Sequence, residues 1–133
     1  GDGMTACVYV ARSHATGELH ACKLAERKNH RSVWPRLSLL IRRESALLQQ
    51  ITPHPNLVRF HSMYASPSEI AVLMELVSGG DCQQLLQRHG GLAEAMVQPM
   101  VRQLHLALSH LHQLGILHRD VKLENVLVET RAH

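Results

Sequence analysis

The sequence predicts an α+β fold in which antiparallel strands come first and helices follow. Three observations carry this. Residues 8–11 and 19–24 read as two short strands around a turn at Ala15-Thr16-Gly17-Glu18. Residues 57–64 and 70–77 repeat the arrangement around Ala65-Ser66-Pro67-Ser68, and 36–51 and 94–114 place apolar residues at helical spacing. A chain of 133 residues that is 45% hydrophobic has enough apolar material for one globular domain.

Composition removes several function classes. Aromatic residues make up only 3%, so aliphatic side chains must fill the core. The formal charge of +3 is spread along the chain, without the basic stripe and interleaved aromatics that nucleic-acid binding needs, so no nucleic-acid partner is expected. Cys7, Cys22 and Cys82 are odd in number, far apart and without a CxxC. That argues against a disulfide framework or a zinc ribbon and fits a reducing compartment, cytoplasmic or also nuclear. The 11 histidines include His110 and His112, but residues two apart on a helix face different ways. Ordinary surface or hydrogen-bonded histidines are favoured over a metal site by about ten to one. No apolar run reaches membrane-spanning length, so no membrane span is expected. The chain opens on a glycine without an initiator Met, which leads us to expect sequence upstream.

The first strand pair opens with Gly1-Asp2-Gly3-Met4-Thr5-Ala6-Cys7-Val8, a G-x-G-x-x-A-x-V pattern. A dinucleotide-binding turn can share it, but that turn opens a helix, and here strands follow. Glycines in a hairpin let backbone approach phosphates with no side chain between. No G-K-[ST] is present to make a Walker loop. In the second strand Ala21 and Lys23 are two apart and share a face. A lone strand lysine is usually a solvated edge charge, unless a carboxylate partner is found.

The helix predicted over 36–51 supplies that carboxylate. Its periodicity puts Glu44 amid Leu37, Leu40, Ile41, Leu47, Leu48 and Ile51. Periodicity alone leaves two readings evenly open: Glu44 faces Lys23, or it sits at the edge of the stripe and pairs along its own helix. Trp34-Pro35 marks the start of this helix. After the turn-rich Thr52-Pro53-His54-Pro55-Asn56 and the second strand pair comes Met74-Glu75-Leu76-Val77-Ser78-Gly79-Gly80-Asp81, in which Gly79-Gly80 supplies flexibility and Asp81 can cap a short helix to His89. The longest helical pattern, 94–114, has Met96, Val97, Met100, Val101, Leu104, Ala107, Leu108 and Leu111 on an arc of roughly 140°. Pro99 lies inside it and should distort the early turns or mark a later start, and Gly115 should close it. Val126-Leu127-Val128 reads as a short strand.

Between that helix and strand stands His118-Arg119-Asp120-Val121-Lys122-Leu123-Glu124-Asn125. Its carboxylate, amine and carboxamide, at spacings of two and five, suit phosphate chemistry: a proton acceptor, a neutralising cation and a metal-binding oxygen. The stretch resembles the catalytic loop H-R-D-L-K-x-x-N of the protein-kinase family, with Val121 where Leu is usual. Other stretches resemble the same family in the same order. Gly1, Gly3, Ala6 and Val8 are similar to its glycine-rich loop, with Ala6 in place of the third glycine; Ala21-Cys22-Lys23 is similar to its A-x-K; His54-Pro55-Asn56 resembles its H-P-N; and residues 74–81 resemble its hinge.

The resemblance implies a protein-kinase-like α+β fold: an antiparallel β N-lobe with one helix, plus the hinge, over 1–77, and the first part of a helical C-lobe over 78–133. It implies transfer of the ATP γ-phosphoryl to Ser or Thr hydroxyls of protein substrates, with ATP and Mg2+ as cofactors. In that reading Asp120 orients and deprotonates the nucleophile, Lys122 steadies the γ-phosphate, and Asn125 binds Mg2+. Lys23 holds the α/β-phosphates while paired to Glu44. The nucleotide is enclosed by Gly1, Gly3, Ala6, Val8, Ala21, Met74 as gatekeeper, the backbones of Glu75 and Val77, Asp81 near the ribose, and Leu127 under adenine. Lys122 points to the serine/threonine type, and H-P-N, the gatekeeper region and L-E-N resemble the calcium/calmodulin-dependent group. Asp81 and Glu124 imply a preference for basic peptides. The family's D-F-G does not occur in these residues, so the 133-residue chain alone is expected to turn over weakly or not at all; the alternative is a pseudokinase or truncated fragment that binds ATP or partners without turnover.

Overall fold

The computed structural model describes residues 7–130. The order is β1 (Cys7–Arg12), β2 (Leu19–Glu26), α1 (Trp34–Leu48), β3 (Phe60–Ala65), β4 (Glu69–Glu75), α2 (Cys82–His89) and α3 (Glu94–Gln113), with 3-10 turns at Arg27–Asn29 and Leu123–Asn125. The chain divides into two compact units. One holds the residues up to Thr52 together with Arg59–Leu76; the other holds Pro53–Val58 and the residues from Val77 onward.

The first unit is an antiparallel four-stranded sheet in the order β1-β2-β4-β3 with α1 against it. Gly17, at φ 74°, provides the left-handed residue that the β1–β2 turn needs. Ala25 and Ile70 are opposed in the β2–β4 register and fully buried. With Val72 they meet Trp34, Leu37 and Ile41 of α1, and Phe60, Met63 and Met74 pack around this core. A buried Ile or Leu here contributes about 1.5–3 kcal/mol. The buried positions of α1 are Trp34, Leu37, Ile41 and Ser45, a narrower stripe than periodicity suggested. Leu40 and Leu47 are exposed, and so is Glu44, which sits beside the stripe rather than within it. Pro35 lies in the first turn as expected, but α1 ends at Leu48 rather than near 51. The second strand pair is also shorter than predicted, because Leu57 N–H donates to the His54 carbonyl in a turn and β3 begins only at Phe60.

In the second unit Asp81 caps α2, its Oδ1 accepting from Gln84 N–H at 2.8 Å, and Gly90 (φ 67°) ends that helix. Helix α3 neither breaks nor starts late at Pro99. At its start the Ala93 carbonyl accepts from both Met96 and Val97 N–H, a shared bond usual at helix ends. It closes as expected at Gly115 (φ 73°): Gly115 N–H donates to His112 and Ile116 N–H to Leu111, the paired bonds of a Schellman end. Ala107 and Leu111 are its buried residues, whereas Met96 and Val101 of the predicted arc are exposed. Residues 126–128 do not form a strand. They run beside 80–82 through a single bridge, Asp81 with Leu127, flanked by Cys82 N–H to Val126 and Val128 N–H to Gly80 at 2.8 Å each.

Candidate functional site

Each unit carries part of the expected residue set. In the sheet, opposed residues share a face, and the register opposes Val8 to Lys23, Val10 to Ala21, Ala21 to Met74 and Lys23 to Val72. Val8, Ala21, Lys23 and Met74 therefore lie on one face, the face that α1 covers further along at Ala25 and Ile70. Ala21, the smallest of these side chains, stands between Val10 on one side and Met74 on the other. Gly1, Gly3 and Ala6 lie outside the described residues.

Lys23 Nζ stands 3.5 Å from Glu44 Oε2, with the side chains 32% and 57% exposed. Of the two readings left open, the structure shows the cross-element pair. It forms from the rim of the helix rather than its buried stripe, so solvent reaches it and its own stabilisation is small, on the order of 0–1 kcal/mol. A pair so weak opens and re-forms readily, and its significance lies in where it directs the amine.

The octapeptide in the second unit is organised by its own hydrogen bonds. Asp120 N–H donates to His118 Nδ1 at 3.1 Å. Arg119 between them takes φ 65°, a left-handed conformation costing a non-glycine residue roughly 1 kcal/mol. The 3-10 turn Leu123–Asn125 then brings Asn125 back, and its Nδ2 donates to Asp120 O at 2.8 Å and Oδ2 at 3.0 Å. Lys122 Nζ lies 3.6 Å from the same Oδ2. One carboxylate oxygen thus receives a carboxamide donor and faces an ammonium, while Oδ1 is left to accept a proton. Asn125, having spent its nitrogen on Asp120, offers a carboxamide oxygen, a hard donor of the kind Mg2+ takes. Among the described residues no three His, Cys, Asp or Glu side chains gather around a common point.

Periodicity and motif spacing did not reveal several contacts that shape these parts. Gly79 has no room for a Cβ, which would run into the Val128 carbonyl, so it serves a close backbone approach rather than flexibility. Gly80, at φ 79°, supplies a left-handed turn. Ser78 Oγ and Thr130 Oγ1 are 3.1 Å apart and tie the same two segments. The His54-Pro55-Asn56 stretch is fastened to α3: Asn56 Nδ2 donates to Gln103 Oε1 at 3.0 Å, and the rings of His54 and His110 lie 4.9 Å apart. The H-P-N pattern marked this stretch, but nothing in it pointed to Gln103. Burial pushes the thiols of Cys22 and Cys82 up, the Asp81 carboxylate adding to the effect at Cys82. Among the described residues no helix is long and apolar enough to cross a membrane.

Comparison with known proteins adds to this geometry. The protein kinase domain family matches residues 1–133. CBL-interacting serine/threonine-protein kinase 17 of Arabidopsis thaliana is 38% identical over 135 residues, covering 100% of this chain and 30% of its own length. Death-associated protein kinase dapk-1 of Caenorhabditis elegans is 33% identical over 132 residues, covering 98% of this chain and 9% of its own. The crystal structure of Rad53 1–466 in complex with AMP-PNP superposes with a TM-score of 0.85 at 32% identity, over 98% of this chain and 33% of that one. The chain thus spans a third or less of the length of these relatives.

Proposed function

The chain belongs to the protein kinase domain family, and from that premise we propose that it carries the ATP-holding and phosphoryl-transferring residues of a serine/threonine protein kinase. The observation that carries the reading is the loop in which Asn125 and Lys122 both address Asp120 Oδ2. A carboxylate fixed in this way accepts the proton of a Ser or Thr hydroxyl as that oxygen attacks the γ-phosphorus of ATP in line. Lys122, close to the same carboxylate, stabilises negative charge on the transferring group. Lys23, held by Glu44, binds the α/β-phosphates, and the face formed by Val8, Ala21 and Met74 takes the adenine ring, with the Glu75 and Val77 backbones at its edge. Asp81 serves the ribose and Leu127 the underside of the base. Mg2+, bound in part by Asn125, would neutralise phosphate charge.

The protein substrate is read as a basic peptide facing Asp81 and Glu124; equal turnover of peptides with and without arginine would remove that element. Turnover by the 133-residue polypeptide itself is expected to be slow or nil. The test therefore reads nucleotide position. The lysines are Lys23, Lys28 and Lys122, and Lys28 is a surface residue paired to Glu26 at 2.8 Å. An acyl-phosphate ester of ATP should acylate Lys23 and Lys122, and free ATP should suppress that labelling while leaving Lys28 unaffected. Equal, ATP-insensitive labelling of all the lysines would contradict the proposal.

A further inference from the structure

Glu75, at the end of β4, has its backbone at the adenine edge on the reading above. Backbone recognition suggests that its side chain is free to vary, but the structure gives that side chain a partner. Its Oε2 accepts from the Arg59 backbone N–H at 3.1 Å, while its own N–H donates to the Arg59 carbonyl at 2.9 Å. Two hydrogen bonds therefore join the last residue of β4 to the residue just before β3. They sit next to the place where the β3–β4 register shifts between Phe60 and Ser62, so the regular ladder is interrupted where the carboxylate closes it. On the other flank, β2 opposes His20 to Glu75, and His20 is buried with its ring 4.5 Å from that of His61.

We infer that the Glu75 carboxylate is a positioning group for adenine recognition: by capping the Arg59 N–H it holds the end of β4, and hence the Glu75 main chain, where the base is read. This rests on the adenine assignment of the preceding subsection. A carboxylate only accepts hydrogen bonds, and Gln presents an equivalent acceptor in Oε1, so the required chemistry is an acceptor at this reach rather than a charge.

The test titrates the 133-residue chain and its variants with the Mg2+ complexes of ATP and of GTP, which share the phosphates and differ in the base. Glu75→Ala should weaken ATP about three- to tenfold, the range of one lost hydrogen bond, with a smaller effect on GTP, and Glu75→Gln should restore most of the loss. Unchanged ATP affinity in Glu75→Ala, an equal loss for ATP and GTP, or a loss that Gln does not restore would each overturn the inference. Failure of the unsubstituted chain to bind ATP would instead bring down the adenine assignment, and the inference with it.

Discussion

At the level of single residues, the Lys23–Glu44 pair separates a structural from a functional role. Its partners are 32% and 57% exposed, so the pair adds little to stability, and Glu44→Gln should shift the unfolding free energy by less than about 1 kcal/mol. Lys23→Met removes a charged phosphate contact and should weaken ATP binding on the order of tenfold or more. Calorimetric titration beside urea unfolding distinguishes the two effects; equal losses of stability and affinity would refute the separation. The cysteines give a pH test. Because burial raises the Cys82 thiol, first, and the Asp81 carboxylate raises it further, the folded chain keeps that proton to higher pH than the unfolded chain. The associated stability is present below the unfolded thiol value of about 8.5 and is lost as pH rises through the folded value. Unfolding at pH 7 and pH 10 should thus show a decrease that Cys82→Ala reduces, and iodoacetamide at neutral pH should reach exposed Cys7 well before Cys82.

At the level of elements, glycines distinguish a packing requirement from open space. Gly79→Ala drives a methyl into the Val128 carbonyl and should cost about 1–3 kcal/mol, whereas Gly91, with nothing near its missing Cβ, should accept Ala within about 1 kcal/mol. Comparable effects at both sites would show that the 80–82 and 126–128 segments are not held as described. The sequence made the elements themselves legible wherever a local rule governs them: Gly17 in its turn, Pro35 in a first turn, Asp81 at a cap and Gly115 at a helix end. It failed where a distant neighbour decides. Glu44 scored as central on a helical wheel, but which face of α1 is buried depends on Ala25, Ile70 and Val72 of the sheet. Leu57 and Val58 have strand-like composition, yet the local turn from His54 and the Asn56–Gln103 bond place Pro53–Val58 with the second unit. Pro99 should have disturbed α3 more than it did, for the helix runs unbroken from Glu94 to Gln113.

For the molecule as a whole, the octapeptide His118 to Asn125 identified the family from sequence, while its internal wiring was not legible there. Spacing put Asp120 and Asn125 five apart, but only the 3-10 turn at Leu123–Asn125 makes them hydrogen-bond partners. In the sheet Lys23 is read as the phosphate-binding amine, and in the loop Asp120, Lys122 and Asn125 are read as the groups that act on the phosphoryl and its metal. The most direct test is an isothermal titration of the 133-residue chain with ATP, with and without Mg2+, repeated on Lys23→Met and Asn125→Ala. The expected result is saturable binding strengthened by Mg2+, weakened at least about tenfold in Lys23→Met, and stripped of most of its Mg2+ dependence in Asn125→Ala. No saturable ATP binding by the unsubstituted chain, or binding that neither substitution alters, would contradict it.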